Sequence, residues 1–201
     1  MRSKSESRRQ TIIDEARAVF QECGFEGASM SQIAARVGGS KATLYSYFAS
    51  KDELFVEVMR RSAEALMRDV FEKLDSQADL TANLRRFGEG FLEAACQPEL
   101  INNYRNAYAE ARKSEVGRLF YERGPRQGLL VLSEHLDACM KQGKLRQADS
   151  VVAAQHLLAL LEAECGQLLL LGVSEGFLPA ATRQMAGRAV EVFLRAYSTP
   201  A

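Results

Sequence analysis

The chain has 201 residues, with 26 lysines and arginines against 26 aspartates and glutamates, so its formal net charge is zero. Apolar residues make up 47% and charged residues 26%, which excludes a disordered or collagen-like chain, and four prolines with no tryptophan point to long uninterrupted helices. Neutrality argues against a nucleic-acid partner, because such domains usually carry a basic excess, but only if charge is spread evenly along the chain.

The polar N-terminus, Met1 to Gln10, leads into no apolar core of a secretory signal. The most apolar stretch, 151–173, contains Gln155, His156, Glu162, Glu164 and Gln167, too much polarity for a membrane span. Cys23, Cys96, Cys139 and Cys165 lie far apart and in apolar-patterned segments, where cysteine usually serves as a small buried hydrophobe. The expectation is a cytoplasmic protein with no membrane partner.

Helical periodicity then runs from end to end. Ile12, Ile13, Ala16, Val19, Phe20 and Cys23 share one helix face, and Gly24-Phe25 is a plausible stop. Ser29-Met-Ser-Gln32 is a capping box for a short helix with Met30, Ile33, Ala34 and Val37 on one side. Gly38-Gly39 breaks it, and Ser40 can cap a further segment over 41–48. Ser50-Lys-Asp-Glu53, a second capping box, opens a long amphipathic helix over 51–75. Beyond it, breaks fall near 76–79, 97–98, 124–125, 143 and 172–176, so about nine helices and no strand are expected. The segment 151–171 is apolar around most of its circumference and is followed by a helix over 179–197. This pair predicts either a central core element or, preferentially, a homodimer interface.

Counting charge in two pieces changes the first inference. Residues 1–51 hold eight basic and five acidic side chains, a net +3, and residues 52–201 carry −3. A positive piece with two short helices joined by a glycine turn has the parts of a helix-turn-helix, whose second helix enters the major groove. On 41–48, Leu44 and Phe48 can pack inward, turning Lys41, Thr43, Tyr45, Ser46 and Tyr47 outward. Exposed tyrosines suit a duplex, where rings pack on sugars or methyls and hydroxyls reach phosphates. Ser29, Ser31 and Lys51 stand at helix starts, where backbone N–H groups favour phosphate. The plainer alternative is a surface hairpin with two half-buried tyrosines.

The stretch Arg8-Arg-Gln-Thr-Ile-Ile-Asp-Glu-Ala-Arg-Ala-Val-Phe20, then Gly24-Phe25, Ser31-Gln-Ile-Ala-Ala-Arg-Val-Gly-Gly-Ser-Lys-Ala-Thr-Leu-Tyr-Ser-Tyr-Phe48 and Ser50-Lys-Asp-Glu-Leu-Phe55 resembles the N-terminal domain of TetR-family transcriptional regulators. The resemblance implies an all-α protein with a three-helix DNA-binding domain at 1–51. A helical effector-binding and dimerisation domain would follow at 52–201, the two linked by helix 51–75. It implies base-reading positions at Lys41, Ala42, Tyr45 and Ser46, phosphate contacts at Thr43, Tyr47 and Lys51, and backbone approach at Ser29 and Ser31. Gly39 departs from the small apolar residue, such as valine, more usual there. Residues 110–125 are more weakly similar to the AefR-like or AcrR-like subgroup.

The resemblance also implies a small-molecule effector, neutral or amphipathic, among Phe71, Phe91, Tyr104, Tyr108 and Leu132, with Asn102, Asn103 and Arg105 able to orient it. His135 is a candidate polar lining residue, and with Cys139 at i, i+4 it forms a pair of potential metal ligands, half of the roughly four that a structural site needs, with no matching pair elsewhere in the sequence. No glycine-rich phosphate loop, GxSxG elbow or HExxH motif is present, so neither an enzyme nor a cofactor is expected. The reading is therefore a homodimeric repressor of double-stranded operator DNA. The alternatives are a cysteine-based redox regulator, a small helical enzyme, and an adaptor that does not bind DNA.

Overall fold

Helix follows helix in the computed structural model, which describes residues 4–199. Arg2 and the Lys4 side chain, counted in the basic excess, lie outside what is described. Among the described residues there are eleven helices, and the extended pairing is an isolated bridge between Leu145 and Ser198. Two compact units form. The first takes residues up to Ser62 together with Ala107–Arg123; the second takes Ala63–Asn106 and the chain from Gly124 onward.

In the first unit, α1 (Lys4–Gly27) is interrupted at Gly24, whose φ of +70° glycine adopts without a Cβ clash. Phe25 then folds back to within 4.9 Å of the Phe55 ring, which stands edge-on to Phe20 at 4.7 Å. Ser29 caps α2 (Met30–Val37) reciprocally with Gln32, as the capping box predicts, and Gly38 ends it at φ +68°. Ser40 accepts the Thr43 N–H at 3.0 Å and opens α3 (Lys41–Tyr45). This helix is shorter than the expected 41–48, because the chain tightens into turns after Tyr45. The Phe48 amide still reaches the Leu44 carbonyl, so both side chains keep the inward direction that the spacing requires.

The long helix α4 (Lys51–Glu72) begins with Ser50 accepting the Glu53 N–H. The Glu53 carboxylate reaches back to Ala49 rather than Ser50, one residue earlier than the box pattern predicts. Leu54, Phe55, Val56, Val58 and Met59 are all buried in a core with Ile12, Ile13, Ala16, Ile33, Leu44 and Phe48. These first turns of α4 therefore pack with the N-terminal helices, and the compact unit runs past residue 51. The helix α7 (Val116–Arg123) joins the same core through the wholly buried Val116. Three polar links accompany it: the Glu115 N–H to Asp52 at 2.9 Å, Arg123 to Glu53 at 2.7 Å, and Lys113 to Glu26 at 2.9 Å.

The second unit holds α5 (Leu80–Ala95), most of α6 (Pro98–Glu110), α8 (Pro125–Lys141), α9 (Ser150–Glu162), α10 (Gly166–Leu170) and α11 (Pro179–Tyr197). Leu84, Phe87, Leu92, Leu132, Leu136, Leu157 and Phe193 form its fully buried centre. At Gly88 a Cβ would stand 2.8 Å from Leu161 and 3.3 Å from Ala186, so the glycine lets α5 approach α9 and α11 closely. The segment 151–171 is two helices rather than one, broken between Glu162 and Gly166. Its all-round apolarity also divides: Ala153, Leu157, Leu161, Cys165 and Leu169 face inward, whereas Leu171 is 77% exposed. Val151, Val152, Leu168, Val173, Leu178 and Val192 are exposed as well. Among the described residues no helix is long and apolar enough to cross a membrane.

Candidate nucleic-acid interface

On α3 the inward pair, Leu44 and Phe48, is buried, and Lys41, Ala42, Thr43, Tyr45 and Ser46 form an exposed row. Tyr45 keeps 46% of its surface in solvent, a large apolar ring offered outward without a partner ring among the described residues. Tyr47, expected outward, is half-buried against the core, because the turn after Tyr45 rotates it away from the row. The hydroxyls of Ser40 and Thr43 lie 2.9 Å apart, and the Ser46 hydroxyl donates to the Thr43 carbonyl at 2.6 Å. Thr43 and Ser46 are thus held in place while their oxygens stay open to donors. On α2, Ser31 is exposed, whereas the Ser29 hydroxyl is occupied by Gln32.

Lys51, expected to meet a phosphate, has its ammonium directed inward. It donates to the Phe25 carbonyl at 2.7 Å and the Ala28 carbonyl at 3.1 Å, and lies 4.2 Å from the Phe25 ring centre. Phe25 lies in the last turn of α1 and Ala28 just beyond its end, so Lys51 stabilises that end and the entry to α2.

Glu57 is a feature that the sequence reading passed over. Its side chain is 4% exposed, and its carboxylate accepts from Arg9 at 3.0 Å and Arg60 at 2.8 Å, with Arg61 at 3.9 Å. Burial alone would raise its pKa, but the hydrogen bonds from Arg60 and Arg9 outweigh it and hold the carboxyl below the usual carboxylate range. Arg9 also lies over the Phe48 ring, 5.0 Å from its centre, so one guanidinium ties α1, the end of the recognition segment and α4 together. A signal was available: a glutamate between Val56 and Val58, in an apolar run followed by two arginines, is placed to be buried and paired. Arg36 is likewise engaged, donating to Glu22 at 2.7 Å. Lys41 has no carboxylate partner among the described residues.

The candidate effector residues divide between the units. Phe71, Phe87 and Phe91 form an aromatic run with centroid spacings of 5.5 and 6.0 Å. Leu132, His135 and Asn103 are buried in the same unit, Tyr104 is half-buried, and Asn102 and Arg105 are exposed. Arg105 is committed to the carbonyls of Leu169 and Leu170. Tyr108, 67% exposed, belongs to the first unit. An open groove of about 590 Å³ lies elsewhere, between Thr81 and Arg85 of α5, Arg146, and the C-terminal half of α11.

His135 is buried, which lowers its pKa and keeps it neutral near pH 7, and Cys139 is its sulfur neighbour at 3.8 Å. Among the described residues no three potential metal ligands gather. Burial raises the thiol pKa of Cys96 and Cys139 and pushes that of Cys165 up to about 11, so these sulfurs are protonated and weak nucleophiles.

Residues 12–58 match the family model for bacterial regulatory proteins of the tetR family, and residues 82–199 match that for the AefR-like transcriptional repressor C-terminal domain. Over 88 residues the chain is 35% identical to the transcriptional activator FasR of Mycolicibacterium smegmatis, covering 44% of this chain and 40% of that one. It therefore spans well under two thirds of FasR. It is 28% identical to the nicotine-responsive transcriptional repressor HdnoR of Paenarthrobacter nicotinovorans over 80% of this chain and 81% of that protein. Among solved structures, the flavonoid-responsive regulator FrrA shares 31% identity at a TM-score of 0.85, over 97% of this chain and 99% of that one.

Proposed function

The chain belongs to the TetR family of DNA-binding transcriptional regulators, which are not enzymes, and from that membership we propose that it acts as a homodimeric, cytoplasmic repressor of a palindromic operator. The observation that carries this reading is the exposed row on α3 set against its buried Leu44 and Phe48. Lys41, Ala42, Tyr45 and Ser46 face base edges in the major groove, and Thr43 with Ser31 approaches the sugar–phosphate backbone. The Tyr47 hydroxyl edge and the Ser29 turn flank that contact, and Lys51 braces it. Two such helices, roughly 34–36 Å apart, would read successive turns of one duplex face.

Release follows when a small hydrophobic or amphipathic molecule binds the second unit. Phe71, Phe91, Asn103, Tyr104, Leu132 and His135 are its candidate contacts. A neutral His135 suits an uncharged ligand, and the flavonoid response of FrrA and the nicotine response of HdnoR favour an aromatic one. The ligand acts only as far as it prefers the state that does not bind DNA. Helices α4 and α6 each contribute residues to both units, which makes them the routes by which that preference reaches the reading head.

The test is binding to the DNA upstream of the chain's own gene, followed against salt and against a panel of aromatic compounds. Lys41→Ala should relax the preference at the base pair that it faces, with a loss on the operator of about 1–3 kcal/mol. Tyr45→Ala should cost about 1–3 kcal/mol on the operator and little on random DNA. No salt-dependent binding by the unaltered protein would sink the regulator reading, and equal losses on both DNAs would remove Tyr45 from base reading.

A further inference from the structure

The two glycines of the α2–α3 turn are present for different reasons. Gly38 sits at φ +68°, a conformation that disfavours a side chain. Gly39 does not lie in that region, so its backbone would accept any residue. What a Cβ at Gly39 would meet is the guanidinium of Arg8, 2.8 Å away. Arg8 reaches across from α1, donates through Nη2 to the Gly38 carbonyl at 3.3 Å, and occupies the space that a side chain at 39 would fill. Arg8, Ile12, Val37, Ser40 and Thr43 line one shallow depression beside the exposed face of α3.

Several other cations of this unit are already engaged within it. Arg9, Arg60 and Arg61 surround Glu57, Arg36 is held by Glu22, and Lys51 is held by carbonyls. Arg8 has no carboxylate partner among the described residues. One of its five donors is used on a neutral carbonyl, which orients the planar fork and leaves its charge uncompensated.

We propose that Arg8 is a DNA-phosphate contact seated by Gly39, extending the backbone-binding surface from α3 onto the N-terminal helix. The proposal rests on the reading of α3 as the recognition helix. The phosphate lies against the free edge of the guanidinium beside the Ser40 and Thr43 hydroxyls, where a bidentate Arg–phosphate pair can form. The Gly39 side of the turn is empty so that this arginine can cross it, which also accounts for the departure from valine at that position.

The experiment is fluorescence anisotropy of labelled operator and random duplexes titrated with full-length protein between roughly 50 and 200 mM salt. Arg8→Ala and Arg8→Gln should each lower the salt slope by about one per bound protomer, about two for a dimer, on both duplexes. Glutamine retains a donor for the Gly38 carbonyl, so its effect reports charge rather than turn geometry. Gly39→Val should reproduce the loss by displacing the guanidinium, and Arg8→Ala combined with Gly39→Val should be no worse than either alone. An unchanged slope in Arg8→Gln, with the unaltered protein binding normally, overturns the proposal and leaves the α3 reading intact. Fully additive losses in the double variant overturn the seating role of Gly39. A loss confined to the operator overturns the phosphate assignment, and an unaltered protein that binds neither duplex overturns both readings.

Discussion

Glu57→Ala should lower the free energy of unfolding by about 2–3 kcal/mol, below the full 3–5 kcal/mol of a broken buried pair, because its partners retain water. Arg9 and Arg60 keep 30% and 34% of their side-chain surface exposed, so solvent recovers part of what they lose. Glu57→Gln keeps an acceptor and the volume but removes the charge, and should cost about 1–2 kcal/mol. The folded-state pKa is depressed, so this contribution is fully present above the unfolded carboxylate value and disappears as pH falls through the folded one. Urea melts should therefore show a gap between the unaltered protein and Glu57→Gln that is widest near neutrality and narrows in acid. A gap that widens on acidification would mean that Glu57 is not the ionised anchor of the three arginines. Because Arg9 also covers Phe48, losing this anchor loosens the platform beneath the recognition helix, so operator affinity should fall alongside stability.

The second large effect is expected at the exposed apolar surface of α9 to α11. Val192 on α11 is 51% exposed, and Leu171 and Leu178 are 77% exposed. These side chains lie on or beside the two C-terminal helices, where the proposed homodimer would bury them. Val192→Glu, or Leu171→Glu with Leu178→Glu, should leave the protomer's melting temperature nearly unchanged, since none of these side chains contributes to its core. The mass measured by sedimentation should fall to half that of the proposed homodimer. Operator affinity should drop by about 10²–10⁴-fold, because the second reading head then binds as a separate molecule instead of at a high effective concentration. Variants that sediment as dimers and bind DNA as before would place the interface on another surface.

Local rules carried most of the reading head. The Ser29–Gln32 box, the Ser40 cap, the Gly38 stop and the inward pair Leu44 and Phe48 depend on residues within four positions of one another, and all of them form. The exposure of Tyr45 follows from that pair. Tyr47 did not follow, because α3 ends at Tyr45 and helical spacing no longer sets side-chain direction beyond it. Partners distant in sequence were illegible for a different reason. Nothing near Arg8 indicates that it meets a turn thirty residues later, and nothing near Lys51 indicates that its ammonium closes the end of α1. The apolar segment 151–171 was legible in content but not in continuity. Its break before Gly166 takes a few residues, too few to interrupt an apolar pattern. The candidate effector residues were the least legible, since an aromatic that lines a ligand space and one that fills a core share the same spacing.

The docking of α7 bears on how regulators of this kind can be recombined. Val116 is fully buried among residues from the first sixty positions, and Arg123, Lys113 and the Glu115 amide hold Glu53, Glu26 and Asp52 around it. The reading head is thus not a contiguous cassette. A chimera spliced at residue 51 or 62 would graft a head whose socket for Val116 must be refilled by a foreign helix. Its DNA specificity would then depend on a fit that neither parent evolved. Exchanging the N-terminal portion together with 107–123 keeps the socket and its plug from the same parent, so a new operator preference can be transplanted without leaving a hole in the domain that carries it.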